Sequence, residues 1–161
     1  MWKTGHSFIK AKIRESGALL AGEMSGHIFI NERWYGFDDG LYAGARLLEV
    51  LAKDDRSSTE MFAALPDSVN TPEINIQMRE GEPPVFMNQL LENAHFEGAS
   101  VSTIDGLRAD FDDGWGLVRS SNTTPVLVLR FEADNDEALA RIMGDFRRVM
   151  LQVNTHLSLP F

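Results

Sequence analysis

The sequence of 161 residues contains no cysteine. This absence excludes a disulfide framework, thiolate catalysis and thiolate-bound zinc. No apolar run approaches the roughly 20 residues that a membrane-spanning helix needs. The first residues also lack the apolar core of a secretory signal. Together these absences predict a cytoplasmic protein with no membrane partner.

Basic residues are scarce as well. Lysine and arginine number 15 against 24 aspartates and glutamates, which gives a formal net charge of −9. Nucleic-acid binding relies on clustered positive charge, so nucleic acid is not an expected partner. A small phosphorylated ligand is compatible with this charge, because local donors can hold it and salt screens distant carboxylates over about 8 Å.

The composition present is that of a globular protein, with 43% hydrophobic and 24% charged residues. Residues 66–72 are rich in turn formers and predict a linker between residues 1–66 and 67–161. Hydrophobic periodicity predicts helices and short strands before this linker, and mostly strands after it. The predicted fold is an α/β fragment followed by an α+β domain, with a mainly antiparallel sheet of four to five strands and two helices. The predicted segments are helices 7–16, 39–53, 58–65, 84–95 and one from 134, and strands 18–20, 27–30, 73–78, 100–104, 107–111, 116–119 and 125–133.

Apolar spacing also predicts which side of three helices faces a core. The inward positions are Leu41, Ala45, Leu48 and Leu51 or Ala52 in helix 39–53, Phe86, Leu90 and Leu91 in helix 84–95, and Leu139, Ile142, Met143, Phe146 and Met150 in the last helix. A capping-box pattern at residues 57–60 predicts the start of the third helix. Asp105-Gly106 predicts a hairpin between strands 100–104 and 107–111.

Residues 116–126 read Gly-Leu-Val-Arg-Ser-Ser-Asn-Thr-Thr-Pro-Val. Arg119 offers a fork of N–H donors that suits two oxygens of one phosphate. Ser121, Asn122 and Thr123 add short donors, and a turn here can direct backbone N–H groups at the same anion. These four residues predict a phosphate-binding site, and the structural alternative is a hairpin with a polar tip. Arg130, on the strand that follows, is expected to pair with a carboxylate such as Glu132 or one of its neighbours.

Residues 22–27, Gly-Glu-Met-Ser-Gly-His, form a loop between two predicted strands. The Glu23 carboxylate can accept two sugar hydroxyls, and the Ser25 hydroxyl adds a third contact. His27 can move a proton near neutral pH, although a histidine between apolar residues also serves structural roles. The alternative for the whole loop is a polar turn whose glycines serve geometry alone.

Two further features concern anions and metals. His6 lies in Lys-Thr-Gly-His-Ser, directly before a predicted helix whose N-terminus favours an anion. The acidic pairs at 38–39 and 112–113 lack the spacing that would converge several oxygens on Mg²⁺. Helix-capping and turn roles are therefore predicted for them, and no metal ligand is predicted in the sequence.

These segments carry a family resemblance. Arg-Ser-Ser-Asn-Thr-Thr-Pro, with the strand Val-Leu-Val-Leu-Arg-Phe-Glu-Ala after it, is similar to the phosphate-binding loop in the last domain of the α-D-phosphohexomutases. Gly-Glu-Met-Ser-Gly-His resembles the sugar-recognition loop of that family, and Lys-Thr-Gly-His-Ser resembles the segment before it. The similarity runs from Trp2 to Phe161 and is strongest to the bacterial phosphomannomutase/phosphoglucomutase branch. It implies that residues 1–66 end a sugar-binding domain three and that 67–161 form a phosphate-binding domain four.

The resemblance also implies an isomerase activity, the interconversion of hexose 1-phosphate and 6-phosphate through a phosphoserine and a bisphosphorylated sugar. It assigns Glu23 and Ser25 to the 3- and 4-hydroxyls, and His27 to acid/base catalysis. Substrate contacts are assigned to His6, and contacts to the non-reacting phosphate to Arg119, Ser121, Asn122 and Thr123. The nucleophilic serine and the Mg²⁺ ligands of the family have no matching segment in this sequence.

Several expectations follow from the resemblance. The chain alone is expected to bind hexose phosphates weakly and to lack catalytic turnover. Its expected partners are the N-terminal domains of the same enzyme. It is also expected to self-associate through unpaired sheet edges. The alternative is a stand-alone sugar-phosphate-binding or regulatory module without catalysis. A phosphoglucosamine mutase is a further option, although the 22–27 loop fits the glucose/mannose group better.

Overall fold

The computed structural model describes all residues from 1 to 161. The chain divides into two units, Met1–Pro66 and Asp67–Phe161, each with its own core. No helix combines the length and the apolar character that crossing a membrane requires. The predicted class, an α/β fragment followed by an α+β domain, is confirmed.

The first unit contains three helices and a two-stranded antiparallel sheet. Its core is small and consists of Ile9, Ile13 and Phe29. The predicted strand 18–20 is displaced by two residues, because the pairing of Leu20 with Ile30 sets the register of the hairpin. The elements are α1 (His6–Ser16), β1 (Leu20–Gly22), β2 (Ile28–Ile30), α2 (Gly40–Ala52) and α3 (Ser58–Ala63).

The apolar stripe predicted for α2 does not face a core. Leu41 is 91% exposed and Leu48 is 67% exposed. The opposite side of α2 is half-buried and carries Arg46 and Glu49, which form ion pairs with the segment that follows β2. The prediction was wrong about orientation, because ion pairing rather than apolar burial fixes the inner face of this helix.

The second unit is a six-stranded antiparallel sheet with two helices on one face. The strands follow the order β3-β8-β7-β6-β5, and β4 also pairs with β8. The core lies between the sheet and the helices, where Leu129, Phe131 and Phe146 are fully buried. The elements are β3 (Val69–Asn70), β4 (Ile74–Gln77), α4 (Glu82–Asn93), β5 (Ser100–Ser102), β6 (Leu107–Phe111), β7 (Gly114–Ser120), β8 (Val126–Ala133) and α5 (Asp136–Val153).

Part of the predicted linker is a strand. Val69 pairs with Ala133, and the Thr71 N–H donates to the carbonyl of Phe131 at 3.0 Å. The Thr71 hydroxyl is buried and accepts from the N–H of Phe131 at 3.2 Å. Residues 69–71 therefore belong to the sheet, which accounts for one strand more than the sequence predicted.

The two helices of the second unit follow their predicted apolar faces closely. In α5, Ile142, Phe146 and Met150 are buried as expected. In α4, Phe86 and Leu90 are buried, but Leu91, which was predicted to point inward, is 38% exposed.

Candidate functional site

The hairpin of β1 and β2 presents the 22–27 loop at its end. The N–H of Glu23 donates to the carbonyl of His27 at 2.9 Å, and the N–H of Gly26 donates to the carbonyl of Glu23 at 3.0 Å. The Glu23 side chain is half-buried, whereas Ser25 and His27 are exposed. The loop is thus internally hydrogen-bonded, and it displays a carboxylate, a hydroxyl and an imidazole within five residues.

A hydrogen bond joins this loop to the segment before α1. The N–H of Gly5 donates to Oε1 of Glu23 at 2.6 Å. Gly5 has φ of 128°, a conformation that favours glycine, and a Cβ at this position would lie 3.2 Å from the ring of Phe8. The structure therefore brings the predicted Lys-Thr-Gly-His-Ser and Gly-Glu-Met-Ser-Gly-His segments together through a carboxylate.

His6 is the first residue of α1 and its side chain is exposed. Its Nδ1 lies 3.5 Å from Nζ of Lys10, one helical turn away. The N-cap residue Gly5 provides no side-chain hydrogen bond to the helix, and the first turn contains no acidic residue. The His6 ring thus lies beside a helix end that carries partial positive charge.

The structure gives His27 a partner that the sequence did not reveal. Nδ1 of His27 lies 2.7 Å from Oδ2 of Asp38. The neighbouring Asp39 is the N-cap of α2 and accepts from the N–H of Tyr42. That N–H, with the indole of Trp34, lowers the pKa of Asp39 below its usual value. The capping role predicted for both aspartates holds for Asp39, whereas Asp38 contacts the imidazole.

No sequence signal marked the contact between Asp38 and His27. The two residues are 11 apart, and the chain turns back so that Asp38 forms a β-bridge with Phe29 in the core. A pair of aspartates before a helix predicts an N-cap, and the second one satisfies that prediction. Only the register of the fold identifies the role of the first.

In the second unit, β7 and β8 are joined by the polar turn, residues 119–124. The Ser121 hydroxyl oxygen accepts from the N–H groups of Thr123 and Thr124, each at 3.3 Å, and from the Thr124 hydroxyl at 3.0 Å. The Ser121 N–H continues the ladder by donating to the carbonyl of Val126 at 2.9 Å. Asn122 and Thr123 are exposed at the tip. Several N–H and hydroxyl groups thus converge around one oxygen position.

Arg119 lies at the end of β7, opposite Val128, on the sheet face away from α4 and α5. Its only hydrogen bond, from Nη1 to the carbonyl of Ser120, is long at 3.3 Å. The ion pairs of this unit involve Arg108, Arg141 and Arg148 and leave Arg119 without a carboxylate. The guanidinium fork is therefore available to an anion.

Arg130 lies on the same sheet face, opposite Leu117 on β7. The sequence suggested a carboxylate partner such as Glu132 for this arginine. This expectation was wrong, because the ion pairs of this unit are made by Arg108, Arg141 and Arg148, and none involves Arg130.

A shallow cavity of about 190 Å³ lies on the other side of the polar turn. One wall consists of residues 121–125, and the other contains Gly81, Pro83 and Pro84 at the start of α4. Arg119 does not line this cavity. The structure thus brings Ser121, Asn122 and Thr123 together on one turn and places Arg119 at its base.

The metal implied by the family resemblance has no evident ligand set in this chain. No group of three or more histidine, aspartate and glutamate side chains is arranged so that it could hold a metal ion. The residues present therefore do not fit a Mg²⁺ site.

Both units are similar to domains of one known protein family. Residues 1–69 match the family model described as phosphoglucomutase/phosphomannomutase, alpha/beta/alpha domain III. Residues 73–149 match the model described as the phosphoglucomutase/phosphomannomutase C-terminal domain.

Individual relatives cover the whole chain. It is 57% identical over 161 residues to a phosphomannomutase/phosphoglucomutase of Pseudomonas putida, covering 100% of this chain and 35% of the relative. A phosphoglucomutase of Neisseria gonorrhoeae is 56% identical over 162 residues, covering 99% and 35%. A crystal structure of a phosphoglucomutase/phosphomannomutase family protein from Burkholderia thailandensis superposes with a TM-score of 0.92 at 56% identity, over 100% of this chain and 34% of that one.

The chain therefore spans about a third of the length of these relatives. Both of its units match the same family, one as the third domain and the other as the C-terminal domain. The protein belongs to the phosphoglucomutase/phosphomannomutase family and corresponds to its C-terminal part.

Proposed function

We propose that this chain supplies the substrate-recognising portion of a mutase that interconverts hexose 1-phosphate and hexose 6-phosphate. In this proposal the first unit binds sugar hydroxyls through Glu23 and Ser25, with His6 as a further contact. The second unit binds the non-reacting phosphate through Arg119, Ser121, Asn122 and Thr123. The phosphoserine and the other domains belong to the remaining two thirds of such an enzyme.

The phosphate assignment is supported chiefly by the free guanidinium of Arg119. Arg108, in the same sheet, forms an ion pair with Asp110 at 2.6 Å, whereas no ion pair engages Arg119. Arg119 lies at the base of the polar turn, where the Ser121 hydroxyl oxygen gathers the N–H groups of Thr123 and Thr124. Bidentate guanidinium contacts and oriented N–H groups are the usual protein ligands of phosphate.

The sugar assignment is supported by the state of the Glu23 carboxylate. The N–H of Gly5 holds Oε1, which orients the side chain, and a carboxylate has several lone pairs that can accept hydroxyl protons. Adjacent hydroxyls of a pyranose can bind one carboxylate together, and the exposed Ser25 hydroxyl lies two residues away.

His27 is the proposed acid/base residue. Its ring is half-exposed at the end of the same loop, and Nδ1 is engaged with Asp38. Nε2 is therefore the nitrogen that can receive a proton from a sugar hydroxyl or return one. Mg²⁺ is assigned to the parts of the enzyme that this chain does not contain, since the residues here do not form a metal site.

The proposal is tested by NMR titration of the ¹⁵N-labelled chain with glucose 6-phosphate. Signals from both the 22–27 loop and the polar turn should shift together at millimolar ligand. Inorganic phosphate should shift only the polar turn, and glucose should shift only the 22–27 loop. An unchanged spectrum of both regions at millimolar glucose 6-phosphate would refute the proposal for this chain.

A matched pair of variants isolates the phosphate contact. Arg119→Ala should abolish the shifts caused by inorganic phosphate. Arg130→Ala removes an unpaired arginine from the same face of the adjacent strand and should leave those shifts in place. Equal loss in both variants would show nonspecific attraction to positive charge and would contradict the assignment of Arg119.

A coupled mutase assay addresses turnover. With glucose 1-phosphate, its bisphosphate activator and Mg²⁺, the 161-residue chain should produce no glucose 6-phosphate above background. Appreciable turnover would contradict the assignment of the nucleophile and metal site to other domains.

A further inference from the structure

We propose that Asp38 is a positioning residue, which holds the His27 ring in the tautomer that carries its proton on Nδ1 and leaves Nε2 free to accept a proton. The role of this tautomer in proton transfer rests on the proposed function. The tautomer itself, and its dependence on Asp38, can be measured without any substrate.

The first argument is the contact itself. Nδ1 of His27 and Oδ2 of Asp38 are 2.7 Å apart, a distance typical of a short hydrogen bond from a ring N–H to a carboxylate. A carboxylate only accepts hydrogen bonds, so a neutral imidazole in this contact must carry its proton on Nδ1. The hydrogen bond made by one ring nitrogen thereby decides the state of the other.

The second argument is that the acceptor is held in place. The backbone of Asp38 forms an antiparallel bridge with Phe29, a fully buried core residue. The next residue, Asp39, caps α2 through the N–H of Tyr42 at 3.0 Å. Asp38 is thus fixed on one side by the core and on the other by a helix N-terminus.

The donor side is fixed as well. The carbonyl of His27 accepts from the N–H of Glu23 at 2.9 Å, and β2 begins at the next residue. The His27 side chain is 50% exposed and that of Asp38 is 30% exposed, so the ring is partly open to solvent although its Nδ1 contacts Asp38. The pair therefore combines a held Nδ1 with an accessible Nε2, which is the arrangement a proton acceptor requires.

This arrangement permits a proton transfer between a sugar hydroxyl and Nε2 of His27. The O–H bond of a sugar hydroxyl breaks, its proton forms a bond with Nε2, and the oxygen keeps the electron pair. The imidazolium that results carries protons on both nitrogens, and the Asp38 carboxylate stabilises the positive charge without itself taking a proton. In the reverse direction Nε2–H returns the proton to the oxygen.

The test is long-range ¹H–¹⁵N NMR of the histidine side chains, at a pH at which the rings are neutral. We expect the Nδ1–H form to be the major form of His27 in the wild-type chain. Asp38→Ala should invert the ratio, so that Nε2–H becomes the major form, and Asp38→Asn should give an intermediate ratio because the amide oxygen is a weaker acceptor. Asp55→Ala removes another carboxylate of the same unit, one beyond the opposite end of α2, and should change nothing.

Two other signals in the same spectra serve as internal controls for the His27 measurement. Nδ1 of His6 lies 3.5 Å from Nζ of Lys10, and neither residue is altered in these variants, so the His6 tautomer ratio should be the same in each of them. The indole signal of Trp34, whose N–H donates to Asp39 at 3.1 Å, reports whether the unit remains folded. Should Asp38→Ala unfold the unit, the wild-type ratio and the Asp38→Asn variant still decide the matter.

The inference is overturned if wild-type His27 is mainly in the Nε2–H form, or if its ratio is unaffected by Asp38→Ala in a folded chain. This outcome is independent of ligand binding. If the His27 tautomer ratio changes as expected in the Asp38 variants but glucose 6-phosphate causes no NMR shifts, the proposed function is refuted and the role of Asp38 stands. The reverse pattern would refute the role of Asp38 alone.

Discussion

Glu23 accepts a hydrogen bond from the backbone N–H of Gly5 at 2.6 Å, across 18 residues of sequence. The bond ties the start of α1 to the 22–27 loop, so that one carboxylate orients two segments that carry proposed substrate contacts. It also places negative charge near the N-terminus of α1, where the helix dipole is favourable to it.

Replacing this carboxylate should loosen both segments. In Glu23→Ala the Gly5 N–H loses a charged acceptor. A hydrogen bond to a charged group contributes at least about 1.5 kcal/mol to stability. We expect amide exchange at Gly5 to accelerate by about tenfold. Glu23→Gln keeps an oxygen acceptor and should accelerate exchange less.

Amide hydrogen exchange followed by NMR checks this expectation. Glu15→Ala, which removes an exposed carboxylate from the last turns of α1, is the matched control and should leave the exchange rate of Gly5 unchanged. An unaltered Gly5 rate in Glu23→Ala would mean that the bond does not persist in solution.

A second prediction concerns Gly106, in the turn that precedes β6. Its φ is 82°, and a Cβ there would lie 2.3 Å from the carbonyl oxygen of Val118 and 2.7 Å from Cα of Arg119. The backbone of the strand that carries Arg119 would have to move. Gly106→Ala should therefore lower the free energy of unfolding of the second unit by about 2 kcal/mol or more.

Gly144 provides the matched control for that change. It lies in α5 with nothing within 4 Å of the position that a Cβ would take. Gly144→Ala should raise the free energy of unfolding by about 0.5 to 1 kcal/mol, because alanine favours the helix. Urea unfolding followed at the indole NMR signal of Trp115 measures both variants, and equal effects from both would contradict the close-approach argument.

Local signals in the sequence were enough for much of the second unit. Asp105-Gly106 predicted a hairpin, and the strand predicted over residues 125–133 is β8. The start of α3 was also predicted correctly, since Ser57 and Glu60 form the expected capping box. Each of these signals lies within a few residues of the structure it determines.

The errors arose where distant residues decide the outcome. Turn-rich composition indicated a linker at residues 66–72, yet β8 offers an edge with which Val69 and Thr71 pair. The apolar stripe of α2 predicted a core face, but the ion pairs of Arg46 and Glu49 hold the opposite face inward. The motif residues of the proposed site were visible in the sequence, whereas the contact of Asp38 with His27 was not.

The ion-pair network beneath α2 should make the first unit sensitive to acid. Arg33, together with Lys53, lowers the pKa of Glu49 from its usual 4.5 to about 2. Because the pKa is lower in the folded state, the stabilisation is complete above the unfolded pKa of 4.5 and is lost as the pH falls toward 2. The melting temperature of this unit should fall over that window.

Glu49→Gln tests the origin of this pH dependence. The variant should melt at a lower temperature than the wild type at pH 7 and should lose less on acidification. High salt should reduce the difference between the two, because the pair is partly solvated and therefore screened. Asp55→Asn, outside the network, should retain the wild-type dependence, and thermal melting followed at the Trp34 indole signal measures all three. Parallel pH profiles for Glu49→Gln and wild type would contradict the assignment to Glu49.

The last prediction concerns an apolar groove between β1 and α2 in the first unit. Leu20, Leu47 and Val50 line it and are 66%, 47% and 53% exposed, and the outer edge of β1 pairs with no other strand of this unit. Exposed apolar surface beside an open strand edge favours pairing with a second copy of the same chain. Sedimentation velocity should therefore show a mass that rises with concentration.

Two substitutions in α2 distinguish association through the groove from nonspecific association through other exposed apolar residues. Leu47→Glu places a charge in the groove and should give a monomer at concentrations where the wild type associates. Leu41→Glu makes the same chemical change at a position that is 91% exposed and outside the groove, so it should still associate. A wild-type chain that stays monomeric at every concentration would exclude self-association, and equal disruption by both variants would place the contact elsewhere on α2.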